Sequence, residues 1–282
     1  MNMKRLLCVT LIVLPLITGC SSKQGEDSSK EKHENGHVEE HSDNHAGDSE
    51  HAAGHNEGRW GYEGAGDPQR WGDLKAEFAT CKVGQNQSPI DIQTEKVSKT
   101  GLPTIEFHYK EAPLSILNNG HTIQVNYPAG SFIKVGDTSY ELLQFHFHTP
   151  SEHTVDGKPF AMAAHLVHKN TEGGLGVVGV LMKEGENNPA IETLWKVMPK
   201  QAGEEVQSAD ITIDASAMLP QDHGYYNYSG SLTTPPCSES VNWMVLKTPV
   251  EVSGEQIAAL VELFKNNARP VQRLHGRTVT AD

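Results

Sequence analysis

Gln144-Phe145-His146-Phe147-His148 alternates apolar rings with imidazoles, and that period of two predicts a β-strand with one apolar and one polar face. In such a strand His146 and His148 project together, roughly 7 Å apart, while Phe145 and Phe147 enter the opposite layer. Two imidazoles so placed can grip one metal ion. A second stretch, residues 160–168, carries His165, which supplies a third nitrogen if its strand pairs beside the first. His168, three residues on, must point to the other face. Taken alone, a His-x-His pair in a strand is more often structural or solvent-facing, so the surrounding sequence has to decide.

Working outward, residues 104–109, 121–127, 131–135, 140–148, 160–168, 177–182 and 241–247 are short, alternating or apolar, and separated by turn residues. They predict a sheet-dominated domain. Two stretches predict helices. Residues 189–198 open with Asn188 as a cap and Pro189 in the first turn. Residues 254–266 follow Ser253, with Gln256 three positions on as a capping box and Ile257, Leu260, Val261 and Phe264 on one face. The composition from Arg59 onward is that of a folded domain without internal repeats. The expected class is mainly β with peripheral helices.

The chain has 282 residues, enough to bury a sizeable core, and a net charge of −13. It has no basic cluster of the kind that tracks phosphates, which argues against nucleic acid as a partner. No apolar run reaches the roughly 20 residues of a spanning helix. Lys4 and Arg5 precede an apolar stretch at 6–17, and Ile17-Thr18-Gly19-Cys20 presents small residues ahead of a cysteine. This predicts an export signal over 1–19, similar to the lipobox of bacterial lipoproteins, in which the cysteine (here Cys20) becomes the lipidated N-terminus. The expected location is the cell envelope, in the periplasm or on the outer surface, with membrane contact only through that lipid. Cys8 leaves with the signal and Cys20 carries lipid. Cys81 and Cys237 remain; far apart and outside any Cys-x-x-Cys, they read as a structural disulfide rather than a redox pair.

Residues 20–58 hold ten acids against three lysines, no aromatic residue and almost nothing apolar. Burial cannot offset the entropy of ordering such a segment, which predicts a disordered tether. His33, His37, His41 and His45 recur every four residues, and His51 and His55 repeat the step. On a helix they would share a face and could chelate a divalent metal. Gly36, Gly47, Gly54 and like-charged neighbours oppose a helix. A solvated spacer and a metal-collecting segment both stay open.

The motifs of the domain at 59–282 occur in the order and wording of one family. Gln87-Ser88-Pro89-Ile90-Asp91-Ile92, Leu117-Asn118-Asn119-Gly120-His121, the stretch at 144–148, Ser151-Glu152-His153, His165-Leu166-Val167-His168 and Gly230-Ser231-Leu232-Thr233-Thr234-Pro235-Pro236 resemble the alpha-class carbonic anhydrases in their bacterial exported form. Trp60-Gly61-Tyr62 and residues 267–272 extend the resemblance over essentially the whole domain. It implies a large, twisted, mostly antiparallel central sheet with short surface helices, a zinc ion at the floor of a conical cleft, and cis peptide bonds at Ser88-Pro89 and Pro235-Pro236.

The resemblance also implies reversible hydration of carbon dioxide to bicarbonate. His146, His148 and His165 would be the Zn2+ ligands, with zinc-bound hydroxide as nucleophile. Gln144 and Asn267 would stand behind these ligands. Thr233 would accept a hydrogen bond from the hydroxide and donate its own proton to Glu152, an orienting relay. His121 would carry the released proton to buffer, imidazole being the side chain that titrates nearest neutrality. Tyr62, Asn119 and Gln124 would organise the intervening waters, and Val167, Val177, Leu232, Thr234 and Trp243 would line the substrate pocket.

Two other classes compete. A domain of this kind that only binds a partner would show a broken triad or a replaced Thr233, yet the triad, Thr233, Glu152 and His121 are all intact. An envelope zinc carrier would account for the His-rich tether but not for the cleft motifs. One position departs from the family. Two residues before the third ligand the family commonly carries a glutamate, which accepts a hydrogen bond from that ligand's outer nitrogen; here the residue is Ala163. Either another group orients His165 or the site holds zinc more loosely. A substitute acceptor, such as a water, a backbone carbonyl or another side chain near His153, is the expectation, because an unpaired buried imidazole nitrogen is costly. The oligomeric state is not legible in the sequence.

Overall fold

The structure, a computed structural model, describes residues 59–282. The export signal, Cys20 and the histidine repeat of the tether lie outside the described residues. The strands in chain order are β1 (Asp91–Ile92), β2 (Ser98–Lys99), β3 (Ile105–His108), β4 (Ala112–Asn118), β5 (Ile123–Asn126), β6 (Phe132–Val135), β7 (Thr138–His148), β8 (Thr154–Val155), β9 (Lys158–Pro159), β10 (Met162–Lys169), β11 (Leu175–Glu184), β12 (Glu205–Ile213), β13 (Tyr225–Ser231), β14 (Glu239–Leu246), β15 (Val250–Val252) and β16 (Thr280–Ala281). Each stretch with a predicted strand contains one, shifted by one to three residues at most ends.

A 13-stranded sheet dominates, its main path running β12-β4-β5-β7-β10-β11-β14-β13-β16-β2. β15 adds to β11, and β3 pairs with β6, which pairs with β7. β11 runs parallel to β14 and β15, and β16 parallel to β2; the other pairs in this sheet are antiparallel. The expected mostly antiparallel sheet is therefore present as a large mixed one.

Helices are few and short. α1 (Trp71–Leu74) and α2 (Thr80–Val83) precede the sheet. α3 (Pro189–Trp195) and α4 (Gly254–Phe264) match the two predicted helices and end two or three residues early. The Asn188 side chain accepts from the Ala190 and Ile191 amides, and Ser253 and Gln256 form the capping box. Both caps satisfy amides that a helix start leaves open.

The two faces of the central strands bury two different clusters. One contains Phe145, Phe147, Leu166, Val178 and Val180 together with Ile191 and Leu194 of α3 and Leu260 of α4. Each such side chain contributes roughly 1.5 to 3 kcal/mol by leaving water. The other contains Val167, Val177, Leu181, Trp243 and Val245 with Ile90, Ile92 and Tyr228. Trp71 of α1 is fully buried, and its indole donates to the carbonyls of Gly61 and Gly66, which pins the 60–66 loop to the domain.

Cys81 in α2 and Cys237 form the expected disulfide, with Cα atoms 5.0 Å apart. It ties the first helices to the turn that follows Thr233 and Thr234. Closing so long a loop contributes about 2 to 5 kcal/mol. Ser88-Pro89 and Pro235-Pro236 are cis, as the resemblance implies, and so is Thr149-Pro150. Among the described residues no helix is long and apolar enough to cross a membrane.

Candidate metal centre

The register of three adjacent antiparallel strands builds the centre. Gln124 of β5, His146 of β7 and His165 of β10 lie in one cross-strand row. The next row carries Gln144, Val167, Val177 and Trp243 on β7, β10, β11 and β14. His148 stands opposite Ala163. Because side chains alternate, the three histidines share one face while Phe145, Phe147 and Leu166 take the other. Their ring centroids are 5.0, 5.4 and 4.5 Å apart. One nitrogen from each lies within 4.8 Å of the others, close enough for a single ion to span with small rotamer adjustments.

Burial pushes the pKa values of His146 and His165 well below the ordinary imidazole range, and the neighbouring rings push the same way. Both are therefore neutral at pH 7, the form in which imidazole binds metal. His148 Nε2 is buried without a hydrogen-bond partner among the described residues. An unpartnered lone pair facing two other imidazoles is what a metal ligand looks like before its ion, so the residues fit one.

Glu152 sits in the loop after β7 and is 1% exposed. Its Oε1 accepts from the Arg269 amide at 2.9 Å. Oε2 lies 3.5 Å from His148 Nε2 and 3.7 Å from His165 Nδ1. Burial raises its pKa, opposed by His148, the Thr233 hydroxyl and Arg269. Thr233 is thus close enough to favour the carboxylate, although Oε2 has no hydrogen bond of ordinary geometry. Thr233 is buried in the turn after β13, where Gly230 lets the backbone approach Ser88: any Cβ there would overlap Ser88 Oγ.

Two of the three outer nitrogens are held. His146 Nδ1 lies 2.8 Å from Gln144 Oε1, and His148 Nδ1 lies 2.8 Å from the Asn267 carbonyl. His165 Nε2 is buried with no partner among the described residues. No backbone carbonyl or side chain takes the place of the family's glutamate, which corrects the expectation of a substitute acceptor from those groups. Asn267 does more than hold His148. Its side chain accepts from the Thr149 amide and donates to the carbonyls of Phe147 and His121, linking the histidine triad to the rim.

His121 follows β4 in a turn organised by Asn119, whose side-chain oxygen accepts from the His121 and Thr122 amides. Gly120 supplies the positive φ of 85° that this turn needs. The half-buried His121 ring stacks on Trp60, centroids 3.6 Å apart and planes within 10°. Burial lowers its pKa below 6.5, and Arg59 adds to the effect. Asn119 Nδ2 donates to Gln124 Oε1, and Gln124 Nε2 donates to Asn126 Oδ1. Trp60, Tyr62, Asn119, His121 and Asn267 line a cavity of about 980 Å³ that opens beside this rim. Burial, with Glu152 nearby, holds the Tyr62 phenol well above its usual pKa, so it stays protonated.

The apolar side is also assembled. Val167, Val177 and Trp243 follow one another across strands, with Leu232 packed against their cluster. The Trp243 indole donates to the Ser231 carbonyl, and its ring lies 4.8 Å from that of His165. The Thr234 carbonyl accepts from the Cys237 amide within the turn. His168 points to the opposite face, as expected, with Nε2 2.8 Å from the Tyr109 hydroxyl.

Residue spacing did not reveal two features. Arg269 is 2% exposed; its guanidinium donates to Gln87, Ser88 and Cys81 and packs over the Trp71 ring while its amide holds Glu152. A buried chain runs from Ser88 Oγ through the Tyr228 hydroxyl to His153 Nε2, at 2.8 and 2.7 Å. Each joins segments far apart in sequence, so no local pattern marks it.

Comparison with known proteins agrees with this geometry. Residues 66–282 match the family model for eukaryotic-type carbonic anhydrase. A carbonic anhydrase of Nostoc sp. is 46% identical over 223 residues, 78% of this chain and 84% of that protein. One of Klebsiella pneumoniae is also 46% identical, covering 78% of this chain and 89% of that protein. The solved structure of the alpha-carbonic anhydrase of Thermovibrio ammonificans in complex with the inhibitor sulfanilamide superposes with a TM-score of 0.77 at 44% identity, covering 79% of this chain and 99% of that one.

Proposed function

The chain belongs to the eukaryotic-type, or alpha, carbonic anhydrase family, and from that premise we propose that it holds zinc on His146, His148 and His165 and interconverts carbon dioxide and bicarbonate. The observation that carries this reading is the convergence of the buried His148 and His165 with the partly buried His146, the unpartnered Nε2 of His148 among them. Bound zinc supplies a Lewis acid that lets water ionise near neutral pH, the effect for which carbonic anhydrases are the type case. Three uncharged donors suit this, because they leave the ion's positive charge uncompensated.

The remaining steps fall to the protein's own side chains. Glu152, fixed by the Arg269 amide, accepts a hydrogen bond from the Thr233 hydroxyl and so sets which way the Thr233 oxygen presents its lone pairs. Val167, Val177, Leu232 and Trp243 offer a linear, nonpolar gas an apolar wall from which water is excluded. His121, with its lowered pKa, is unprotonated at pH 7 and takes up the released proton on a ring nitrogen. Asn119, Gln124 and the protonated Tyr62 supply polar groups along the way.

The test is stopped-flow hydration of carbon dioxide, with zinc measured in the same sample. The reading expects about one zinc per chain, loss of turnover on chelation and its return with added zinc. Zinc-replete protein that hydrates no faster than buffer would overturn it in favour of a binding domain. For the leading segment, the signal and Cys20 support export and lipid anchoring in the envelope. Cys20→Ala should then release the protein from membranes, and a variant that stays membrane-bound would refute the anchor.

A further inference from the structure

We propose that Ala163 makes His165 the unbraced arm of the triad, so that this site exchanges its metal faster than one in which all three ligands are held from behind. The inference rests on the reading that the triad binds zinc. It begins from the contrast among the three outer nitrogens. The Gln144 side chain and the Asn267 carbonyl hold protons on Nδ1 of His146 and His148, which fixes each ring as the tautomer whose Nε2 is free for the ion. For His165 the roles of the nitrogens are exchanged. Its Nδ1 faces Glu152 Oε2, as His148 Nε2 does, so Nδ1 is the inner atom and the buried, unpartnered Nε2 is the outer one.

Among the described residues, no neighbour of that outer atom accepts a proton well. Ala163 lies two residues earlier on the same face of β10, 1% exposed, flanked across the sheet by His148 and Leu181. A methyl group offers no acceptor. Gly179, opposite His165 on β11, has no side chain to offer one. The His153 ring is 6.0 Å away, and its Nε2 is already engaged with the Tyr228 hydroxyl. The Trp243 ring, nearly perpendicular at 4.8 Å, is at best a weak π acceptor.

The consequence is a tautomer penalty that falls on the metal-bound state. Without metal, His165 can place its proton on Nδ1, toward the Glu152 carboxylate. Binding an ion through Nδ1 moves that proton to Nε2, where no protein group receives it. The metal-bound state therefore carries its proton on a buried nitrogen with no protein partner, whereas the metal-free state can keep it on Nδ1, facing the Glu152 carboxylate 3.7 Å away. His146 and His148 pay no such penalty.

A chelator chase of the zinc-loaded full-length protein tests this, using excess pyridine-2,6-dicarboxylate and following zinc release rather than turnover. Ala163→Glu should slow release by about 10 to 100-fold, and Gln144→Ala, which removes an existing brace, should speed it by a comparable factor. Folded Ala163→Glu protein that releases zinc as fast as the parent, or faster, overturns the proposal. A buried glutamate could also unfold the strand, so a second measurement uses the unaltered protein. With 15N-labelled histidine, the ring N–H protons of His146 and His148 should resonate downfield as hydrogen-bonded donors, and that of His165 well upfield of both. Three equally downfield signals would overturn the proposal without any variant. A preparation that retains no zinc on the triad overturns this inference and the metal reading together, whereas a zinc-retaining protein with three braced signals sinks this inference alone.

Discussion

β7 and β10 each show two different surfaces to the molecule, one residue apart. On one face His146, His148 and His165 converge, the last two beside Glu152; on the other Phe145, Phe147 and Leu166 meet α3 and α4. The metal-facing side chains have specific partners, and their value lies in where single atoms point. The core-facing side chains have no polar atoms, and their value lies in the volume they fill. Substitutions on the two faces should therefore fail in different ways: loss of chemistry with the fold kept, or loss of stability with the chemistry kept per folded molecule.

The largest effect expected is that of His148→Ala. Removing one of three ligands should take turnover to background and most zinc with it, while thermal denaturation still shows a cooperative fold. If the melt collapses as well, the two faces are not independent. Phe147→Ala should do the reverse. Emptying a fully buried phenylalanine costs about 3 to 5 kcal/mol, readable by urea denaturation, with turnover per folded molecule little changed. A fall in turnover matching that of His148→Ala would break the comparison from the other side.

His168 sharpens it, because it is an imidazole on the core face. Burial lowers its pKa to about 4, against small opposing effects of backbone hydrogen bonds. The unfolded chain, with pKa near 6.5, takes up a proton that the native state refuses. Stability from this residue is therefore full above pH 6.5 and is lost as pH falls from about 6.5 to 4, by about 1.4 kcal/mol per unit. Between pH 7.5 and 5.0 that amounts to about 2 kcal/mol. Urea melts of His168→Gln across this range should show a shallower dependence on pH than the parent; an equally steep one would mean that His168 is protonated in the native state.

The division between faces also explains what was legible in the sequence. The alternation at 144–148 reveals a face because the period of a strand is two, and His165 joins it once a neighbouring strand is assumed. β12 and β13 offered no such signal. β12 is mostly exposed and runs through Ser208-Ala209-Asp210, where its pairing with β4 shifts register. β13 ends in Ser229-Gly230-Ser231, which reads as loop, yet it carries the turn bearing Thr233. β4 was hidden by Pro113 near its start. At the site, spacing put His146 and His148 on one face with His165 within reach, but their metal role, like the roles of Thr233, Glu152 and His121, was legible only through the family resemblance. Arg269 and the Ser88-Tyr228-His153 chain were not, because each depends on contacts that only the finished sheet creates.

The smallest effect expected lies at the rim, where His121 belongs to neither face and is held by Trp60 and the Asn119 turn. Its Ala variant keeps the ligands, Glu152 and the apolar wall, so attack on carbon dioxide should be spared and only proton export slowed. At low buffer concentration that should cost about tenfold in turnover, or about 1.4 kcal/mol of barrier. Excess imidazole buffer should restore much of it, since a diffusing base can accept the same proton; no restoration would mean that His121 is not the exporting group. The pH profile separates the ring from its platform. Protonated imidazole cannot accept a proton, so at low buffer the parent's rate should fall on the acid side, through a pKa below 6.5. Trp60→Ala removes the stacked indole that contributes to burial of the ring. The His121 pKa should then rise toward 6.5 and carry the acid limb to higher pH, with only a few-fold change in rate at pH 8. An acid limb that stays in place would show that Arg59, rather than the stack, depresses His121.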